Sequence, residues 1–240
     1  MLSESYRPST LDEIIGHTEA KDMLCSYLKE NLSQTSLLIS GTPGIGKTTL
    51  VLAAARHCEY EPLEVNASRS LRSHEDVSKL KDSCRAPVSF TSLIKYSKPR
   101  KTCVILDEVD GSDPHAQRKI LDWVKDPERV VPILFTANEI PVIFKRATEN
   151  VLIHRCMPLN SKTLYEALNK YMHMSFQDFA NVVKECQHDV RRILYRAQYG
   201  ISDKPQIVTM TGDLIIDVLR QEETFYKSNP ITRGLETIEI

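Results

Sequence analysis

The eight residues Gly41-Thr42-Pro43-Gly44-Ile45-Gly46-Lys47-Thr48 constrain the fold more than any other stretch of this 240-residue chain. They fill every fixed position of a phosphate-binding loop. The flanks are those the motif requires: the apolar run Leu37-Leu38-Ile39 before it, and the helix-forming Thr49-Leu50-Val51-Leu52-Ala53-Ala54-Ala55 after it. The physical need is for backbone N–H groups to converge on phosphate oxygens. Glycines at 41, 44 and 46 permit the tight wrap, and the next helix adds the positive end of its dipole. Lys47 is spaced to reach the β- and γ-phosphates, and the Thr48 hydroxyl to hold Mg²⁺.

The surrounding pattern agrees with an α/β fold. Strands are expected at residues 36–40, 63–66, 101–106 and 130–136, with Pro132 near the start of the last. Helices are expected at about 11–32, from the phosphate loop to about 57, at 73–85 and at 114–125, Ser73 and Asp76 being spaced for a cap. Strands alternating with helices imply a parallel sheet covered on both faces. After Pro158 only helical patterns occur, at 161–174, 176–186 and 190–199. The chain therefore divides into 1–158, an α/β domain; 159–200, a small helical domain; and 201–240, a C-terminal tail with one further short helical pattern.

A net charge of −1 excludes recognition of nucleic acid through overall basicity, so any such surface must come from local segregation of charge. No run approaches the ~18 apolar residues of a membrane span. The first residues lack the charged-then-apolar pattern of a secretory signal. The six cysteines show no CxxC spacing and read as reduced thiols of a soluble intracellular protein.

The second half of a nucleotide site is also legible. Val104-Ile105-Leu106 runs into Asp107-Glu108, an apolar strand ending in two carboxylates about 60 residues after Lys47. Asp107 is placed to bind Mg²⁺, and Glu108 to orient and deprotonate an attacking water. A loop alone binds nucleotide; a loop with this pair can hydrolyse it. Asn138, closing the later strand Phe135-Thr136-Ala137, can position that water or touch the γ-phosphate, though an asparagine there also suits a plain turn.

These boxes together resemble a subunit of the sliding-clamp loader family (replication factor C) within the AAA+ ATPases, over roughly residues 4–200. Tyr6-Arg7-Pro8 through Ile15-Gly16-His17 resembles the segment that folds against adenine and ribose in that family. Glu64-Val65-Asn66-Ala67-Ser68 is similar to its Asn-Ala-Ser box, and Asp107-Glu108-Val109-Asp110-Gly111 to the large-subunit carboxylate motif. Asn138 matches the first sensor. His188-Asp189-Val190-Arg191-Arg192 resembles the lid motif that makes Arg191 the second sensor. The resemblance implies a five-stranded parallel AAA+ sheet followed by a helical lid, with ATP and Mg²⁺ as ligands. It assigns Tyr6, Arg7, Pro8, Ile15, Gly41 to Thr49 (Thr42, Pro43, Gly44, Ile45, Gly46, Lys47 and Thr48 between them), Asn138 and Arg191 to the nucleotide. Thr48 and Asp107 would hold the metal, with Glu108, Lys47 and Asn138 catalytic.

Two positions depart from the family pattern: Arg69 stands where an aspartate is usual, and His188 replaces a glycine. His154-Arg155-Cys156 sits where small subunits carry an arginine that reaches into a neighbour's ATP site, so Arg155 is a catalytic candidate in trans. Arg155 points to the small type and the carboxylate motif to the large; a large-subunit-like loader that donates Arg155 satisfies both. The 40 residues after 200 are read as a tail or a shortened form of the family's helical collar. Implied partners are other loader subunits, the clamp and primer–template DNA, with no membrane, in the nucleus of a eukaryote or otherwise in the cytoplasm or a viral replication site. Two alternatives stay open: a structural or checkpoint-type subunit that binds ATP without hydrolysing it, and another AAA+ DNA-dependent ATPase such as a branch-migration motor.

Between Arg69 and Lys101 there are nine basic residues against three acidic ones, a local balance of +6 in a nearly neutral chain. Such segregation suits phosphates, and Arg69, Arg72, Lys79, Lys81 and Arg85 are the DNA candidates. Sparse aromatics there favour backbone contact over base stacking. Phe90, Leu93 and Ile94 interrupt the basic stretch and are candidates for the clamp-facing surface or for ordinary packing.

Overall fold

The computed structural model describes residues 7–30, 34–169 and 174–199. Tyr6 and residues 201–240, to which the sequence reading assigns a base contact and a tail, lie outside them. The strands are β1 (Ser36–Ser40), β2 (Tyr60–Asn66), β3 (Lys101–Asp107), β4 (Ile133–Ala137) and β5 (Val151–Arg155). They form one parallel sheet in the order β2-β3-β4-β1-β5.

Alternation along each central strand splits its side chains between two cores. Leu37, Ile39, Cys103, Ile105 and Leu134 pack towards α1 (Thr18–Glu30) and the apolar α2 (Lys47–His57). Leu38, Val104, Leu106, Ile133 and Phe135 face the other way. There they meet α4 (His74–Ser83), which follows the one-turn α3 (Ala67–Ser70), and beyond α5 (Phe90–Lys95) they meet α6 (Pro114–Lys125) and α7 (Val142–Arg146). Phe135 and Phe144 sit edge to face at 5.0 Å, both fully buried. Truncating either to alanine should cost about 3–5 kcal/mol.

Capping chemistry sets the helix starts. Ser73 and Asp76 form a reciprocal capping box on α4, and Asp113 with Pro114 at the first turn opens α6. Pro62 is tolerated inside β2 because β2 is an edge strand. Pro132 lies just before β4, and its carbonyl accepts the Val104 N–H at 2.9 Å.

The final helices, α8 (Ser161–Leu168), α9 (Phe176–Glu185) and α10 (Val190–Tyr199), gather a core of their own. It contains Leu164, Leu168, Phe179, Val183, Cys186, Ile193 and Leu194. Among the described residues no helix is long and apolar enough to cross a membrane.

Three local differences from the sequence reading have physical causes. The expected helix over 11–32 begins only at Thr18, because Gly16 and His17 take positive φ (66° and 54°) and break the turn before it. β2 starts at Tyr60, earlier than its apolar pattern suggests, because it pairs with β3 along its whole length. β5 had no counterpart in the reading: it is a half-exposed edge strand ending in His154 and Arg155, without a clean alternation.

Candidate nucleotide site

Four segments meet at the carboxyl ends of β1, β3 and β4, the place where open parallel sheets receive ligands. The loop after β1 leads into α2, whose N-cap Gly46 is left-handed at φ 95°. A Cβ there would meet nothing within 4 Å, so the loop faces open space that can take phosphate oxygens. Lys47 is 8% exposed. Its ammonium donates to the carbonyls of Gly41 (2.8 Å) and Thr42 (2.9 Å) and to Asn138 Oδ1 (2.9 Å). Burial pulls its pKa below the usual lysine value, and the Asp107 and Asp110 carboxylates oppose that shift.

From β3, Asp107 Oδ1 accepts the Thr48 hydroxyl at 2.7 Å and also the hydroxyl of Thr136 on β4. A hydroxyl and a carboxylate this close are hard oxygen donors. They suit Mg²⁺, which usually takes one or two protein oxygens beside substrate phosphates. Glu108, the next residue, is left-handed at φ 55°, a conformation that costs a non-glycine residue about 1–2 kcal/mol. Its neighbours hold it there. Its N–H donates to Thr136 Oγ1 at 3.2 Å, and its Oε2 accepts from Asn66 Nδ2 (3.0 Å) and Ser68 Oγ (3.2 Å).

The helical domain closes the other side. Val190 N–H donates to the Gly44 carbonyl at 3.1 Å. Gly44 has φ 76°, and a Cβ on it would run into the Asp189 carboxyl group at 1.9–2.4 Å. Only glycine fits there. Asp189 also accepts the N–H groups of Arg191 and Arg192 (2.9 and 3.2 Å), fixing the start of α10. Arg191 projects into the cleft with its side chain 69% exposed.

The cavity so formed is about 1040 Å³. Arg7, Pro8, Ile15, Pro43 to Thr49, Asp107, Glu108, Asn138 and Arg191, all named from sequence, line it. Gly41 and Thr42 instead brace Lys47 from below. Arg7 Nε donates to Thr49 Oγ1 at 3.2 Å, joining the first described residue to the loop helix. Further lining comes from Ile14, His17, Leu164, Leu168 and Leu194. His17 Nε2 pairs with the Ile45 carbonyl at 3.1 Å, and burial pulls its pKa below the ordinary histidine value. These residues were missed for an intelligible reason: leucines at helical spacing look alike whether they meet a core or a ligand. Thr136 was detectable, because strand alternation places it on the same side as Asn138.

Arg155 does not line this cavity. It is exposed at the end of edge strand β5, beside Ser40 in register. The basic candidates lie on and around α3 and α4. Arg69, Arg72 and Lys79 are exposed there, whereas Lys81 is paired with Asp126 at 2.5 Å and Arg85 with Asp82 at 2.9 Å. Leu93 and Ile94 on α5 are exposed, at 54% and 73%.

A family model described as "ATPase family associated with various cellular activities (AAA)" matches residues 37–159, the whole sheet and its loops. The chain belongs to the AAA family. This AAA chain is similar to the replication factor C large subunit of Methanococcus maripaludis strain C6, at 33% identity over 144 residues, 57% of this chain and 28% of that protein. With the large subunit of Pyrobaculum islandicum it shares 28% identity over 219 residues, 82% of this chain and 48% of that one. It thus spans between about a quarter and a half of the length of these curated relatives. Among solved structures, the Thermotoga maritima RuvB Holliday junction branch migration motor superposes with TM-score 0.58 at 15% identity, covering 80% of this chain and 64% of that one. That likeness establishes the AAA fold and nothing further.

Proposed function

We propose that the chain binds and hydrolyses ATP as a large-subunit-type member of a sliding-clamp loader. One observation carries the reading: Thr48, Asp107 and Thr136 form one hydrogen-bonded chain that reaches the Glu108 N–H, and Lys47 reaches Asn138 beside it. In this reading Gly41 to Thr49 wrap the phosphates, and Tyr6, Arg7, Pro8 and Ile15 hold base and ribose. Arg191 meets the γ-phosphate from the lid. Thr48 and Asp107 hold Mg²⁺, which when bound neutralises charge on the β- and γ-oxygens. Glu108 takes a proton from the attacking water, and Asn138 keeps that water and Lys47 in line.

Residues 1–158 act as the ATPase domain and 159–200 as the lid. Arg155, solvent-facing on an edge strand, is free to enter a neighbouring subunit's ATP site. The exposed Arg69, Arg72 and Lys79 follow the DNA backbone with Lys81 and Arg85 at the margin, and Leu93 and Ile94 with Phe90 meet the clamp. ATP favours the assembled, clamp-gripping form, and hydrolysis releases clamp and primer–template DNA. The setting is soluble and intracellular, with other loader subunits as partners.

The test is steady-state ATPase of the chain, alone and with primed DNA, partner subunits and clamp. Stimulation by DNA and clamp, reduced about 10²–10⁴-fold in Glu108→Gln with ATP affinity retained, is the expected result. Tight ATP binding with no turnover in any combination would leave a bracing, non-hydrolysing subunit as the better account.

A further inference from the structure

Asp110 lies two residues past Glu108, in the 3₁₀ turn Val109–Gly111, the last acidic residue of the carboxylate motif and one of the two carboxylates that oppose the Lys47 shift. Its carboxylate spans two of the site's loops. One oxygen, Oδ2, accepts the backbone N–H groups of both Asn138 (3.1 Å) and Glu139 (3.2 Å) across the sheet end. The other, Oδ1, is buried and has no hydrogen-bond partner.

The turn that carries Asp110 is itself fixed. Val109 is fully buried, and its carbonyl accepts Gln117 Nε2 at 3.1 Å and Ser112 Oγ at 2.7 Å. Gln117 is 5% exposed on α6 and bonds the Ser112 carbonyl as well, at 3.0 Å. A rigid seat therefore presents a carboxylate to two adjacent amides at the point where β4 ends and Asn138 begins. Asn138 in turn accepts Lys47 at 2.9 Å. Beyond β4, these two charge-assisted bonds determine where the Asn138 side chain stands.

We propose that Asp110 is a positioning residue: it clamps the Asn138–Glu139 backbone so that the Asn138 amide meets Lys47 and the reacting γ-phosphate. It also ties the loop bearing Glu108 to the loop bearing Asn138, so the two move as one unit. The proposal rests on the reading that this cleft hydrolyses ATP, but its structural half can be tested without turnover.

The experiment compares the 240-residue chain with Asp110→Ala, Asp110→Ser and Asp110→Asn, and with Glu108→Gln as the turnover control. Three quantities are read on each: amide hydrogen exchange at Asn138 and Glu139, affinity for a fluorescent ATP analogue, and single-turnover hydrolysis. In Asp110→Ala both amides should exchange roughly tenfold to a hundredfold faster, the loss expected of bonds to a charged acceptor. Hydrolysis should fall roughly 10²-fold, as for a misplaced catalytic contact, with analogue affinity nearly unchanged. Asp110→Asn keeps a carbonyl oxygen for both amides but loses the charge, so its exchange and turnover should fall between those of the alanine variant and the unsubstituted chain. Asp110→Ser is too short to bridge both amides and carries the same expectation as alanine, should the alanine variant fail to fold.

Unchanged exchange in the alanine or serine variant would overturn the proposal. Equal losses of affinity and turnover would also overturn it, since they would mean a merely structural role. If the unsubstituted chain shows no hydrolysis above Glu108→Gln, the ATPase reading fails, and the exchange data still decide whether Asp110 clamps these amides.

Discussion

The nucleotide cleft and the basic face around α4 both concentrate polar residues, yet they are built in opposite ways. In the cleft, Lys47 is bonded to Asn138, Thr48 to Asp107 and Asn66 to Glu108 at 2.7–3.0 Å. On the basic face, Arg69, Arg72 and Lys79 stand in solvent, while Lys81 and Arg85 are matched by nearby aspartates. Exposed pairs of that kind contribute little, because solvent screens them. The cleft thus encodes geometry and the face encodes only sign. A preorganised site can do chemistry because nothing has to reorganise as charge develops, whereas a solvated face suits a ligand whose charge repeats regardless of sequence.

The sharpest challenge to that division is Arg155, which is solvated like the basic face but is proposed to act in chemistry. Arg155→Ala should lower ATP turnover of the assembled complex by about 10³–10⁵-fold while leaving ATP affinity of the isolated chain unaltered. A small effect in the complex would return Arg155 to the class of plain surface arginines. Next in size is Lys47→Met, which removes one cation and strands the carbonyls of Gly41 and Thr42. ATP affinity measured by titration calorimetry should fall roughly 10- to 100-fold, in line with lost bonds to charged groups. Arg69→Ala and Arg72→Ala should weaken duplex binding alike for all sequences, and each should reduce the slope of log K against log salt by about 1. A sequence-dependent loss would show that the face reads bases after all.

The smallest effect belongs to His17. Its folded pKa lies below the unfolded value of about 6.5, so below that pH the unfolded chain binds more protons and stability falls with pH. The loss runs from about pH 6.5 down to the lowered folded pKa, with a slope of at most about 1.4 kcal/mol per pH unit. Denaturant titrations of the unsubstituted chain and of His17→Gln should diverge only in that window, and curves that keep a constant separation would exclude His17 as the source.

Legibility in the sequence followed the same division. The phosphate loop, Asp107, Glu108 and Asn138 could be named because each carries a demanding chemical type at a strand or helix end; Arg191 was named through the resemblance of its motif alone. The helix at 114–125 was expected, and the structure shows Asp113 capping it with Pro114 in its first turn. What escaped depended on partners far along the chain. β5 is a strand because it pairs with β1, which its own half-polar sequence does not reveal. Asn66 and Ser68 were visible as a motif, but their grip on Glu108 exists only because Asn66 lies opposite Asp107 in the β2–β3 register. Asp110 and His17 were hidden alike: one acts through backbone amides of a distant loop, and the other through a backbone carbonyl, Ile45.

The contact between Gly44 and the start of α10 has one further consequence. The loop that would receive phosphate is also joined directly to the start of α10, through the Val190–Gly44 bond and the Asp189 carboxyl seated where a side chain would otherwise be. A change in the curl of the loop would be felt at the start of α10 across a single hydrogen bond.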